Sequence, residues 1–284
     1  MAFRRVMTDR EQLLEHEKRA SPLSDREVEE ADERSSTTAK VVHEAIRLEG
    51  TEELERPSSS IAWSGVAAGL TICCSMIGEG LLQARLPNAP WRDLVANFGY
   101  CLGFLFVTMG RQQLFTETTL TVVLPVLHGT HKGREVLRYW AIVFAANILG
   151  TLLFAGAASI PGLFKPDAVQ AFIELGSKAV DPGFLGVLVK AVFAGWLIAL
   201  MVWLLPASAS ARFFVIVAVT WLIGIAQFSH VIAGSAEAAF AAMHGAIGWD
   251  QYLLDFLLPA FIGNSIGGVV FVALLNHAQV KAEI

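Results

Sequence analysis

Charge is scarce over most of this sequence. Of 284 residues, 54% are apolar and 17% charged, and the first 60 positions hold 10 of the 21 Lys and Arg and 15 of the 26 Asp and Glu. Residues 61–284 are left with 11 of each sign, roughly half the density of about 25% usual in globular domains. The formal net charge of −5 therefore sits in the first 60 residues, and no basic face remains that could hold nucleic acid. Cysteine is scarce too: three in all, with Cys73 and Cys74 adjacent, which excludes a disulfide framework. Metal-ligand spacings, nucleotide loops and nucleophile triads are absent, so neither a metal, a cofactor nor an enzyme is expected. The N-terminus lacks the apolar core and cleavage site of a signal peptide. A soluble enzyme is excluded by the apolar runs, which reach or approach the ~20 residues that span a bilayer.

What is present is a polytopic membrane protein with a polar leader. Residues 1–60 are dense in charge of both signs, with Phe3 as their one aromatic, a composition that buries too little apolar surface to order most of its length. Two stretches have helical grammar. Ser24-Asp25-Arg26-Glu27 reads as a capping box. Ala39–Glu49 sets Val42, Ala45, Ile46 and Glu49 at helical spacing, which suits either a solvated tail or a cytoplasmic helix docked on the mouth of the core. Pro57–Ser60 marks the boundary to a pore domain over 61–277, followed by a short tail over 278–284.

Six hydrophobic segments are expected, at about Ile61–Leu82, Val95–Leu127, Trp140–Ile160, Phe184–Leu205, Phe213–Ile247 and Leu253–His277. The second and fifth are too long for one straight helix and carry polar residues near their middles, Arg111-Gln112-Gln113 and Gln227-Phe228-Ser229-His230. Interrupted segments at matching positions of two halves point to a substrate site between repeats. The repeat is visible internally. Ala146-Asn147-Ile148-Leu149-Gly150 aligns with Gly263-Asn264-Ser265-Ile266-Gly267 at an offset of 117, and the same offset sets Gln113-Leu114-Phe115-Thr116 opposite His230-Val231-Ile232-Ala233. Three spans per half is an odd number, so the halves run in opposite orientations. Lys and Arg placement favours both termini in the cytoplasm. Recurring small residues (Gly65, Ala68, Gly69, Gly150, Gly263, Gly267) allow close helix approach.

Leu114-Phe115-Thr116 after an interrupted second span, Phe228-Ser229-His230-Val231-Ile232-Ala233 in the fifth, and Ile262-Gly263-Asn264-Ser265-Ile266-Gly267-Gly268 in the sixth resemble the formate/nitrite transporter family. The likeness covers about residues 60–277 and is nearest a bacterial branch with a long polar N-terminus. It implies an all-α, aquaporin-like six-helix bundle of two inverted three-helix repeats, a pore in each protomer, a homopentamer in the bacterial inner membrane, and passage of formate, nitrite or similar anions. Protons accompany the anion in some members. Gln113 stands where members studied for formate usually carry an acid, and Gly234 stands where Asn is usual.

The candidate pore residues follow. Leu114, Phe115 and Phe228 are sized for narrow apolar collars around His230, and collars strip water from an ion at high cost. A weak acid evades that cost by accepting a proton, and His230 is the side chain at the break that titrates near neutral pH; Thr116 can bond the imidazole or the substrate. Asn147 and Asn264 either line the pore or tie irregular backbone, and Lys190 either gathers anions or snorkels to headgroups. Arg111 and Glu117 either pair with each other or help select the permeant. Glu79 and Glu237 lie in apolar context, and the sequence assigns neither a role. Two other functions are weighed. A neutral-solute pore of aquaglyceroporin type would need a pair of Asn-Pro-Ala motifs, and only Pro87-Asn88-Ala89-Pro90 occurs, outside any half-helix. A non-transporting sensor or scaffold would use the acidic leader as its output.

Overall fold

A computed structural model describes Ser24 and residues 37–281; the expected capping box at Ser24–Glu27 falls outside the described residues, as does the end of the short tail. Residues Ala39–Ile284 form one compact unit, helical throughout its described residues and without strands. Ten helices are used here: α1 (Ala39–Glu55), α2 (Ser58–Arg85), α3 (Arg92–Met109), α4 (Phe115–Leu127), α5 (Gly133–Ala158), α6 (Pro166–Val180), α7 (Gly183–Leu204), α8 (Arg212–Ile225), α9 (Ala233–Met243) and α10 (Gln251–Lys281). Four of them, α2, α5, α7 and α10, are long and apolar enough to cross a membrane, and half or less of each is buried inside the chain. Their outward faces are apolar, with Trp63, Leu153, Leu185 and Leu275 exposed, which suits lipid or a second copy rather than water.

The other two expected segments are each shared between two helices. Between α3 and α4 the backbone leaves the helix at Gly110, and between α8 and α9 it does so at Ala226. Both helices stop in the same way. Arg111 (φ 51°) and Gln227 (φ 52°) are the non-glycine residues with positive φ among the described residues, a conformation costing about 1–2 kcal/mol for an L-residue. The Arg111 N–H donates to the Thr108 carbonyl at 3.2 Å and the Gln112 N–H to Val107 at 3.1 Å; Gln227 donates to Gly224 at 2.9 Å and Phe228 to Ile223 at 3.0 Å. This pattern closes a helix C-terminus over a left-handed residue, satisfying carbonyls that lipid could not.

The groups beyond each stop are tied by one buried asparagine. Asn147 of α5 accepts the Phe115 N–H on Oδ1 at 2.9 Å and donates from Nδ2 to the carbonyls of Gly65 (2.8 Å) and Gln113 (2.9 Å). Asn264 of α10 accepts the Val231 N–H at 2.8 Å and donates to Ala191 (2.7 Å) and Ser229 (2.9 Å). Each asparagine reaches across because its neighbour is glycine. A Cβ on Gly69 would stand 2.2 Å from the Asn147 carbonyl oxygen, and one on Gly195 would stand 2.3 Å from that of Asn264. The paired bonds also match the two interruptions residue by residue. Phe115 corresponds to Val231 and Gln113 to Ser229, an offset of 116 at the interruptions against 117 at the asparagines. His230 therefore sits opposite Leu114, one residue away from the Gln113 match that the sequence alignment sets.

Two elements add to the sequence reading. Helix α1 carries the expected Ala39–Glu49 helix on to Glu55, as part of the compact unit that begins at Ala39. It buries Val42, His43, Ile46, Gly50 and Leu54 along one face, and Gly50 packs so closely that a Cβ would meet the Thr121 carbonyl oxygen at 2.0 Å. His43 Nε2 and His277 Nδ1 share a hydrogen bond of 3.1 Å, and burial, then His277, pushes the His43 imidazole down. Helix α6 has no counterpart among the six expected segments. It starts at Pro166, which suits a first turn, and buries Ala168, Ala171, Phe172, Leu175 and Gly176, an amphipathic stripe rather than an apolar run.

Asn264→Ala leaves the Val231 N–H and the Ser229 carbonyl without their asparagine partner and removes a second donor from the helical carbonyl of Ala191; a buried group left unpaired costs about 1–3 kcal/mol. The expected result is a melting temperature in detergent lowered by several degrees, without rescue by Asn264→Asp, whose carboxylate has no hydrogen to give the two carbonyls. Unchanged melting of both variants would remove the asparagine as the tie.

Candidate functional site

The two interruptions meet at a pair of side chains. Thr116 lies in the first turn of α4 and His230 lies just before α9; Thr116 Oγ1 and His230 Nε2 are 2.7 Å apart, and both residues are buried. His230 Nδ1 accepts the Ala233 N–H at 3.1 Å, capping α9. A nitrogen that accepts carries no hydrogen, so the ring's proton resides on Nε2 and is donated to Thr116. The threonine hydroxyl hydrogen is then free to point elsewhere. The edge of the ring meets Phe104, with centroids 4.9 Å apart. Partial positive charge at the start of α9 faces the same region.

Two cavities border the interruptions; His230 lines the first of them, and Thr116 lines neither. One, of about 100 Å³, is lined by Phe228, Ser229 and His230, with Lys178 and Lys190 and the carboxyls of Glu79, Asp93 and Glu237 around it. The other, of about 420 Å³, is lined by Arg111, Gln112, Gln113 and Glu117 of the first interruption, with Glu49 and Glu53 of α1 and with Arg212. Burial pushes the Glu49 carboxyl up, against the opposing pull of Arg111.

The candidate residues separate by position. His230 and Thr116 are joined directly; Phe228 and Lys190 line the first cavity, and Phe228 stacks on Phe193 with centroids 5.2 Å apart. Leu114 and Phe115 are fully buried and line neither cavity. Phe115 is turned into an aromatic cluster with Trp140, Phe144 and Phe261, at centroid distances of 5.7, 5.2 and 5.1 Å. Its ring thus lies against α5 and α10, which supply these three partners. Asn147 and Asn264 bond backbone with every side-chain group. Arg111 and Glu117 share the second cavity without an ion pair; the Glu117 carboxylate instead accepts the Thr108 hydroxyl at 2.6 Å.

Gln113 has partners that its sequence neighbourhood does not announce. Its Nε2 donates to Glu53 Oε1 at 2.9 Å, and the Tyr139 hydroxyl lies 2.7 Å from Gln113 Oε1 and 2.9 Å from Glu53 Oε2. Glu53 also pairs with Arg56 at 2.8 Å. An acid thus stands against position 113 although residue 113 itself is neutral, delivered by α1 from 60 residues away in the chain. The sequence signal for Glu53 is only a place on an amphipathic helix.

Residues 40–278 match the family described as formate/nitrite transporter. The chain is 36% identical over 261 residues to the inner membrane protein YfdC of Escherichia coli, covering 91% of this chain and 84% of that protein. It is 21% identical to the formate channel FocA of Haemophilus influenzae, covering 78% of this chain and 86% of that one. Among solved structures, a pentameric formate channel with formate bound superposes with a TM-score of 0.68 at 19% identity, over 79% of this chain and 98% of that chain. An ion channel of the same family gives 0.68 at 21% identity, over 85% and 96%.

Tyr139→Phe removes the hydroxyl that touches both Gln113 and Glu53. A lost hydrogen bond of about 1–1.5 kcal/mol should speed hydrogen exchange of the Ala39–Glu55 amides about tenfold relative to the rest of the unit. Exchange in α1 equal to that of the unaltered protein would show that the hydroxyl does not hold the helix.

Proposed function

The chain belongs to the formate/nitrite transporter family, and from that membership and the site's geometry we propose that it conducts small monovalent anions of weak acids, formate and nitrite among them, through a pore in each protomer. The observation that carries the reading is the buried Thr116–His230 hydrogen bond, which joins two helix interruptions, each reached by its own cavity. Irregular backbone at membrane depth is tolerated where it borders protein or a water-lined path, and the start of α9 offers partial positive charge without a permanent ion. Lys190 draws anions into the first cavity. The relatives' names as transporters and channels favour transport over catalysis.

The architecture we propose is the aquaporin-like one. Residues 61–277 carry six spans in two inverted three-helix repeats, the second and fifth spans being interrupted. The supporting facts are the twin asparagine ties and the twin positive-φ stops. Five protomers associate through the apolar outward faces, in the bacterial inner membrane, with both termini cytoplasmic. Residues 1–60 then form the cytoplasmic leader, and α1 lies over the second cavity at the cytoplasmic mouth.

His230 serves in this scheme as a neutral donor. Its Nδ1 already accepts the Ala233 N–H, so a second proton on the ring would require that bond to break and α9 to lose its cap. The ring therefore orients the anion together with the Thr116 hydroxyl. The proton relay through this ring that the sequence suggests fits the geometry less well.

In proteoliposomes, formate and nitrite should cross saturably while glycerol stays at the protein-free background; glycerol swelling without anion flux would overturn the reading in favour of a neutral-solute pore. Thr116→Val, which removes a hydroxyl at nearly constant volume, should lower formate flux about tenfold, the equivalent of one hydrogen bond of about 1.4 kcal/mol. His230→Asn should lower flux while leaving the shape of its pH profile between about pH 5 and 8 intact. A flattened profile would place the titrating proton on this ring after all.

A further inference from the structure

The first cavity holds two carboxyls that the anion path described so far does not use. Glu79 comes from α2 and Glu237 from α9, and both line the cavity that ends at His230. They are 7% and 8% exposed. Glu79 accepts one hydrogen bond, from Gln83 Nε2 at 3.1 Å. No hydrogen bond or ion pair reaches the Glu237 carboxyl among the described residues, and Glu79 is its charged neighbour. Most of α9 is alanine, and its residues from Ala233 to Ala242 are buried, with Ser235 as the other polar side chain, bonded to the Tyr252 hydroxyl. The Glu237 carboxyl has no protein donor or ion pair of its own among the described residues, so only the cavity offsets its desolvation, and an apolar side chain of like volume would be cheaper. An intramembrane acid of this kind is retained for use.

The charged groups around the pair are few. Asp93 of α3 and Lys178 of α6 are the charged neighbours of Glu79, and Lys190 of α7, Tyr100 and His230 complete the ionisable lining. Cys73 and Cys101 are the other titratable side chains close to the pair. Glu174 of α6, Asp255 of α10 and the charged first turns of α5 do not line the cavity. Two negative charges on the wall of this cavity would repel an arriving anion, with less screening than in open water. The anion and a proton on the pair therefore favour each other's presence.

Resting on the reading of the chain as a weak-acid anion path, we propose that Glu79 and Glu237 form a proton-binding site that supplies the proton accompanying the anion. In the step, a carboxyl O–H of the pair breaks and an O–H forms on the anion held near Lys190 and His230. The carboxyl keeps the electron pair as a carboxylate, and the anion becomes the neutral acid. That neutral acid crosses the apolar region at the interruptions without ionic desolvation, and the carboxylate regains a proton from water in the cavity. His230, with both nitrogens engaged, needs to give up no bond.

The experiment uses the full chain in proteoliposomes, with formate outside, a pH-sensitive dye inside and protein-free vesicles as baseline. Unaltered protein should take up formate faster as outer pH falls from about 8 to about 5, with internal acidification in step. Glu237→Gln and Glu79→Gln should each flatten that pH profile and lower flux at the acidic end about tenfold, and Glu237→Asp should restore the dependence. Unchanged pH profiles and acidification in both glutamine variants overturn the proposal, as does formate flux that follows sodium or potassium at constant pH. If Glu237→Gln does not assemble, Glu79→Gln and Glu237→Asp decide the matter by the same readouts. Absence of formate flux in unaltered protein would instead refute the anion-path reading beneath it.

Discussion

The structure depends on satisfying backbone groups where helices stop inside an apolar body. A helix that ends at membrane depth frees N–H and C=O groups for which lipid has no partner. Two asparagines meet that demand, each with three bonds to the main chain. Because they do, the chain can hold irregular segments at Gly110–Leu114 and Ala226–Ile232, and only those segments bring Thr116 and His230 within 2.7 Å. The glycines at 69 and 195 serve the same end, since any side chain there would push the asparagine backbone away. Site and scaffold are thus one construction.

Much of this was legible. Runs of polar residues inside apolar segments mark the interruptions, and the twin Asn-containing segments mark the repeat, because both signals are local in sequence. Other features depended on geometry that no local pattern carries. A single-residue slip separates the interruptions from the asparagines, so an alignment anchored on Asn147 and Asn264 misplaces His230 by one. Phe115 has the size of a collar residue, and nothing local announces that its ring lies against Trp140, Phe144 and Phe261. Helix α6 was hidden because Phe172 and Leu175 form a stripe without an apolar run. Glu53 was hidden because its partners, Gln113 and Tyr139, lie 60 and 86 residues away.

The ionisable groups sort by their partners. The His230 ring accepts at Nδ1 and donates at Nε2, an arrangement that offers a donor without a fixed charge. Lys178 and Lys190 share the first cavity with Glu79, Asp93 and Glu237, and the second cavity mixes Arg111 and Arg212 with Glu117 and with acids of α1. Charge of both signs thus lines each cavity, and the junction of the two interruptions is made of dipoles and shared hydrogens.

The Tyr139 hydroxyl has one hydrogen and two acceptors in reach, Gln113 Oε1 and Glu53 Oε2. The Arg56 guanidinium donates to the same Glu53 oxygen at 2.8 Å, so the hydroxyl can turn to Gln113 while the carboxylate keeps a donor. Helix α1 is consequently fastened by a latch whose one hydrogen has a choice of acceptors, and the ion pair within α1 decides how much each choice costs. The grip of α1 on position 113 can therefore shift without any rearrangement of the asparagine ties.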